Sequence, residues 1–187
     1  MPSQRRFFQI FTLLLLSMWM MPANSAAYCA LRDPTSNIYT LFPDASSYKS
    51  IVHKIDSETQ QQISSKTHFS IHNDELGQHT LYVAMKEKLP HGIIHARSEV
   101  GLWGLIEIVW AFDFDLNVVD FLFQRCRESS CALIADLSFR SLLKGKSSSE
   151  LLVLLNQDIK PYPEDILGSK EAENLANTVI RSAIKTA

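Results

Sequence analysis

The stretch Gly104-Leu-Ile-Glu-Ile-Val-Trp-Ala-Phe-Asp-Phe114 decides the fold of this 187-residue chain. Large apolar side chains alternate along it and would share one face of an extended strand: Ile106, Ile108, Trp110, Phe112 and Phe114. The side chains between them form a mixed face: Leu105, Glu107, Val109, Ala111 and Asp113. We therefore predict a strand with one buried side and one partly solvated side.

Further strands are predicted on both sides of this stretch. After a turn at Asp115-Leu116-Asn117, residues 118–124 return with Val119, Phe121 and Phe123 on one face, which is typical of an antiparallel hairpin. Upstream, residues 79–85 are rich in strand-forming types, and a second strand begins at residue 92. Residues 89–92 contain Pro and Gly and are predicted to form the turn between them.

The C-terminal third has helical periodicity. Residues 132–143 predict a helix that ends near Gly145 as its C-cap, and residues 148–156 predict another. Ser169 is a natural N-cap for a last helix, whose apolar residues recur at helical spacing: Ala172, Leu175, Ala176, Val179, Ile180, Ala183 and Ile184. The sequence thus predicts an α+β fold in which an antiparallel β-meander sheet is packed by helices that follow it.

The region before the predicted sheet has weaker signals. Residues 31–48 contain two prolines and are predicted to be irregular. Residues 50–65 are polar and fit either a short helix or an edge segment, and residues 69–72 fit a short strand.

The N-terminus has the layout of a secretory signal peptide. Arg5 and Arg6 precede an apolar run over residues 7–21, and Pro22 then leads into small residues. The run of about 15 residues is shorter than the ~20 that span a bilayer. We therefore expect a signal peptide over residues 1–27, a single domain over residues 28–187, and a periplasmic or otherwise exported protein. The alternative interpretation is an uncleaved membrane anchor.

Composition narrows the class of protein. The chain is 46% hydrophobic and 20% charged, which is ordinary for a globular domain. Its formal net charge is −2 and it has no block of basic residues, so nucleic acid is not expected as a partner. Its histidine pairs, such as His91 and His95, fall in segments predicted to be extended, where the two side chains lie too far apart to bind one ion. No metal site is predicted.

Three cysteines remain for an oxidising compartment: Cys29, Cys126 and Cys131. Cys126 and Cys131 lie close together in a polar segment, and we predict a disulfide between them. Cys29 is the alternative partner for either one. Four residues separate Cys126 from Cys131, which is not the Cys-x-x-Cys spacing of thiol oxidoreductases.

The order of segments resembles the periplasmic FMN-binding domain family, whose members include the G subunit of the Rnf complex and the C subunit of sodium-pumping NADH:quinone reductase. The resemblance covers roughly residues 41–187. It rests on the strand over residues 104–115, the return strand ending in Arg125-Cys126-Arg127-Glu128-Ser129, the segment Leu142-Leu143-Lys144-Gly145-Lys146, and Asp165-Ile166-Leu167-Gly168-Ser169 before the last helix.

The resemblance implies a flavin site. Glu128 and Ser129 match the family's Glu-Thr pair, and residues 165–171 match its flavinylation motif, Asp-x-Ile-Ser-Gly-Ala-Thr. The threonine that carries FMN aligns with Lys170 or Glu171, and neither has a hydroxyl to esterify. Any FMN is therefore expected to bind without a covalent bond, with its phosphate at Gly168, Ser169 and Lys170.

The resemblance also implies a function. It points to an exported redox or electron-transfer accessory of the cell envelope, with non-covalent or lost flavin. The expected partner is a membrane redox complex or another envelope protein. The alternative is a non-enzymatic binding or assembly module that retains the fold without a cofactor. The sequence indicates no oligomeric state.

Overall fold

The computed structural model describes residues 33–67, 69–156 and 168–187. The proposed signal peptide, Cys29 and residues 165–167 lie outside this part of the chain. The described residues form five strands and six helices. In chain order they are α1 (Thr35–Leu41), β1 (Ser47–Ile55), α2 (Ser57–Thr67), β2 (Gly77–Lys86), β3 (Leu89–Gly101), β4 (Gly104–Phe112), β5 (Val118–Arg125), α3 (Cys131–Ile134), α4 (Leu137–Leu143), α5 (Ser148–Asn156) and α6 (Lys170–Thr186).

The five strands form one antiparallel sheet in the order β1-β2-β3-β4-β5. Each strand pairs with its neighbour in sequence, so the sheet is a meander, and the predicted α+β class is confirmed. In the centre of the sheet Trp110 lies opposite His95 on β3 and Phe121 on β5. This register fixes which side chains of β3 share a face with the aromatic residues of β4.

The main core lies between the sheet and the C-terminal helices. Trp110, Phe112, Phe121 and Phe139 are almost fully buried there, beside the apolar stripe of α6. The indole N–H of Trp110 donates a hydrogen bond of 3.0 Å to the hydroxyl oxygen of Ser182. The helix is thereby fixed against the sheet by a buried polar contact as well as by apolar packing.

The opposite face of β4 is also buried, so the prediction of a partly solvated side is wrong. Val109 and Ala111 are fully buried in a second, smaller core with Ile38 and Leu41 of α1. The small side chains of this face let a short helix approach closely. The sequence pattern before β1 predicts an irregular segment, so it does not reveal this cover.

Other local predictions also need correction. Residues 50–65 contain both alternatives, because the edge strand β1 is followed directly by α2. Residues 69–72 form no strand.

Residues 89–92 belong to β3, and the turn is made by Glu87 and Lys88, which have φ of 49° and 72°. The expected single helix over residues 132–143 divides at Asp136, whose carboxylate caps α4 by accepting the Ser138 N–H at 2.9 Å.

Gly145 follows α4 with φ of 77°, as expected for a C-cap glycine. Within residues 33–67, 69–156 and 168–187, no helix has both the length and the apolar character needed to cross a membrane.

Candidate functional site

The first turn of α6 is closed by the residue that precedes it. Ser169 is the N-cap, and its hydroxyl oxygen accepts the Ala172 N–H at 3.1 Å. Its carbonyl oxygen accepts the Glu173 N–H at 3.1 Å. The predicted cap is therefore confirmed, and the serine itself satisfies two of the N–H groups at the end of the helix.

The two segments predicted to form the flavin site meet in the structure. The Ser129 hydroxyl donates a hydrogen bond of 2.8 Å to Oε2 of Glu171, although 42 positions separate the two residues. Gly168, Ser169 and Lys170 are exposed beside this contact. The segment after β5 and the start of α6 thus lie at one end of the molecule.

Glu128 has a different partner from its neighbour Ser129. Its Oε1 accepts the backbone N–H of Trp103 at 3.0 Å, at the tip of the β3–β4 hairpin. A Cβ at Gly101 would collide with this carboxylate and with the Ile106 side chain, so a larger residue there would displace the Glu128 carboxylate. Glu128 and Ser129 therefore connect the hairpin tip to the first turn of α6.

A disulfide fixes the segment that carries this pair. Cys126 and Cys131 are bonded, with their Cα atoms 6.0 Å apart, as predicted. The first cysteine follows β5 and the second begins α3, so the bridge holds Glu128 and Ser129 in a short closed loop.

The charges at this end oppose a phosphate. The first turn of α6 carries Glu171 and Glu173, and Glu128 adds a third carboxylate nearby. Arg127 and Lys170 are the cations of the same segments. With Glu171 already hydrogen-bonded to Ser129, a phosphate at the helix start would face a carboxylate. The donor set therefore does not fit an esterified flavin and favours no phosphate at this helix start.

The hairpin tip beside Glu128 is apolar and exposed. Leu102 and Trp103 keep 72% and 64% of their surface accessible, and Val100 keeps 61%. These three side chains form an exposed apolar patch at one hairpin tip, unlike single scattered apolar residues.

A second group of polar residues lies under the C-terminal half of α6, and the sequence does not predict it. Arg97 Nε donates to Oε1 of Glu99 at 2.9 Å, and its Nη2 is bonded to Oε2 of Glu75. Lys185 Nζ lies 2.9 Å from Oε2 of Glu99 and 3.5 Å from Oε1 of Glu75. We refer to Glu75, Arg97, Glu99 and Lys185 as the buried ion cluster.

The buried ion cluster is electrically balanced. Two cations meet two carboxylates, and the backbone N–H of His72 adds a 3.0 Å bond to Oε1 of Glu75. The exposed fractions of the four side chains are only 5–11%. Buried charges of this kind persist only when each one is paired and hydrogen-bonded.

His95 lies on the same face of β3, next to the cluster. Its Nδ1 is 3.2 Å from the carbonyl oxygen of Thr80, and its ring centroid is 5.6 Å from that of His79. Burial, together with the positive charge of Arg97 and the nearby His79, lowers the pKa of His95 to about 4. The ring is therefore neutral at physiological pH.

A groove of about 580 Å³ opens above the buried ion cluster. Glu75, Glu99 and Lys185 lie at its base, and Phe69, Val100 and Arg181 line it nearer the solvent. The Arg181 guanidinium carbon lies 5.8 Å from the centroid of the Phe69 ring, a cation–π contact.

One pattern in the sequence indicates part of this groove. His95, Arg97 and Glu99 alternate along β3, which puts all three on one face. Polar residues that alternate along a strand usually indicate a face that is exposed to solvent. Their partners Glu75 and Lys185 are too distant in sequence to be inferred. Among the described residues, no three His, Cys, Asp or Glu side chains are grouped so that they would hold a metal ion.

Comparisons with known proteins add no family to these observations. No protein-family model matches the chain, and no curated protein matches it significantly.

Proposed function

We propose that this protein is an exported binding or assembly module of the cell envelope, which has an FMN-binding-domain-like fold but holds no flavin. The observation that carries the proposal is the 2.8 Å hydrogen bond between Ser129 and Glu171. It joins the two segments that the resemblance assigns to the flavin, and it leaves a carboxylate at the expected position of the phosphate.

Two further features support loss of the flavin. Lys170 and Glu171 stand where the family has its flavin-bearing threonine, and neither can form a phosphoester. The Ser169 hydroxyl occupies the Ala172 N–H, one of the groups that a phosphate at the helix start would use.

The exposed hairpin tip is the proposed contact surface for the partner. Leu102 and Trp103 form an apolar tip, and a disulfide-closed loop supports it through Glu128. The proposed partner is another envelope protein with an apolar pocket that accepts the indole, since aromatic anchors dominate the energy of protein interfaces.

A titration of the purified protein with FMN tests the loss of flavin. We expect no saturable quenching of flavin fluorescence in the wild-type protein or in the Lys170→Glu variant. Saturable binding that Lys170→Glu weakens would instead support the second candidate, a redox accessory with non-covalent FMN. Lys170 at the helix start and the exposed indole of Trp103 are the features that favour that candidate.

A photo-crosslinking experiment in cells tests the binding surface. A photoreactive residue replaces Trp103 in one variant and Leu89 in the control, which is 70% exposed at the β2–β3 turn. We expect one envelope protein to be captured from position 103 and not from position 89, and a Leu102→Asp change to abolish the capture. Equal capture from both positions, or none from position 103, would contradict the proposal.

A further inference from the structure

We infer that the groove between α6 and β3 is a binding site for a small organic anion with an apolar body. This inference goes beyond the proposed function. It concerns the C-terminal half of α6 and Val100 of β3, whereas the proposed function concerns the start of that helix and the side chains of Leu102 and Trp103 at the hairpin tip.

Arg181 supplies the group that would recognise the anion. The side chain is exposed, and it has no carboxylate partner within the described part of the chain. Its guanidinium is instead held beside the Phe69 ring. An arginine positioned in this way retains N–H donors in the planar arrangement that binds a carboxylate or sulfonate.

The base of the groove does not repel an anion as its acidic residues first suggest. Glu75 and Glu99 are each bonded to both Arg97 and Lys185, so their charges are compensated. Addition of Arg181 leaves the groove with an excess of positive charge. Thr178, on the same helix, uses its hydroxyl to donate to the Asn174 carbonyl at 2.9 Å. Arg181 supplies the charged donor, beside the polar side chains of Ser70 and His72 that also line the groove.

The apolar part of the ligand has its own surface. Phe69 and Val100 line the groove, and Val100 keeps 61% of its surface exposed. A volume of about 580 Å³ lies within the range of roughly 300–1,000 Å³ found for small-molecule sites. The groove therefore combines one fixed cation with an apolar wall, and this combination selects amphipathic anions over neutral molecules.

The probe for the experiment is 8-anilinonaphthalene-1-sulfonate, an aromatic anion whose fluorescence rises on binding. Its neutral counterpart, N-phenyl-1-naphthylamine, has the same rings without the sulfonate. We expect saturable binding of the anion with one site per chain, and binding of the neutral probe that is weaker by about tenfold or more.

Two variants locate the site, and a third serves as the control. Arg181→Gln and Val100→Glu are both changes at exposed positions, and each should weaken binding of the anionic probe by about tenfold or more. Arg127→Gln removes an exposed arginine that does not line the groove and should leave binding unchanged. Thermal unfolding of each variant verifies that the fold is intact.

Three results would overturn the inference. They are an absence of saturable binding, equal affinity for the anionic and neutral probes, and unchanged affinity in Arg181→Gln. FMN is itself an aromatic anion, so the variants assign any FMN binding: loss in Arg181→Gln places it in the groove, and loss in Lys170→Glu places it at the start of α6. The inference and the proposed function can therefore fail separately.

Discussion

The charged side chains at the two ends of α6 lie in opposite environments. At the N-terminal end, Glu171 is exposed and bonded to the neutral hydroxyl of Ser129. In the C-terminal half, Lys185 lies over β3 and is bonded to the buried carboxylates of Glu75 and Glu99. One end places its charges in water, and the other places paired charges in the protein interior.

This difference indicates which positions of α6 tolerate substitution without a large loss of stability. Exposed charges near a helix end contribute a few tenths of a kcal/mol and are screened by salt. Buried paired charges change the free energy of unfolding little while all partners are present. Removal of one partner leaves an uncompensated buried charge and lowers stability strongly. Exposed charged residues at the start of α6 can therefore change with little loss of stability, whereas the residues of the buried ion cluster must be kept together.

The largest effect is expected from Arg97→Met, which leaves the buried carboxylates of Glu75 and Glu99 with Lys185 alone. We expect the free energy of unfolding to fall by about 3–5 kcal/mol. Urea unfolding followed by circular dichroism measures it. Glu171→Gln is the matched control at the other end of α6, with an expected change below about 0.5 kcal/mol. Similar losses in both variants would remove the distinction between the two ends.

The next effect concerns pH and His95. The pKa of its side chain is about 4 in the folded protein, whereas the ordinary pKa of a histidine side chain is 6.5. The unfolded chain thus binds more protons between these values, and stability falls as the pH is lowered through 6.5 towards 4. We expect this residue to account for about 2–3 kcal/mol of the loss between pH 7 and pH 4.5.

His95→Asn isolates that contribution, because asparagine retains a donor for the Thr80 carbonyl and does not titrate. Unfolding of both proteins at pH 7 and pH 4.5 should show a smaller loss in the variant. The same loss in both would mean that the ring at position 95 is not kept neutral by burial.

A smaller effect is expected from the disulfide. The double change Cys126→Ser and Cys131→Ser opens a loop whose cysteines are separated by only 5 positions. Loop-closure entropy predicts a loss of about 2 kcal/mol. The same variant should lose the cross-link from position 103 while anion binding in the groove is retained. If groove binding were lost as well, the two ends of α6 would not be independent.

The smallest effect is expected at the cap. Ser169→Ala removes the bond to the Ala172 N–H and should cost about 1 kcal/mol. Ser169→Gly should cost only a few tenths, since glycine is tolerated at this position. Thermal unfolding of the two variants distinguishes them, and identical values would show that the side chain of Ser169 does not cap the helix.

Much of the fold was predictable because local patterns determine it. The alternation from Ile106 to Phe112 indicates the central strand, and the helical stripe after Ser169 indicates α6. The small core under α1 was not predictable, since a helix with only two buried residues, Ile38 and Leu41, leaves almost no periodic signal.

The candidate sites were predictable only in part. The contact between Ser129 and Glu171 joins two segments that the resemblance also assigns to one site. The buried ion cluster unites side chains from a 3-10 turn over Asn73–Glu75, from β3 and from α6, and no local pattern indicates such partners. Long-range pairing of charges depends on how helix and sheet dock, which a single sequence does not reveal.

The meander order has a consequence for how the chain folds. Neighbouring strands are consecutive in sequence, and the three connections from β2 to β5 are short loops that close at little entropic cost. Residues 56–76, which include α2, separate β1 from β2. Both α6 and α1 must join the sheet from far away. Trp110 meets Ser182 of α6 across 72 positions, and Gln124 of β5 meets Asn37 of α1 across 87. Local contacts favour early formation of the sheet. We expect hydrogen exchange during refolding to show protection of β3 and β4 before that of α6 and α1, so that the two helices dock after the sheet has formed.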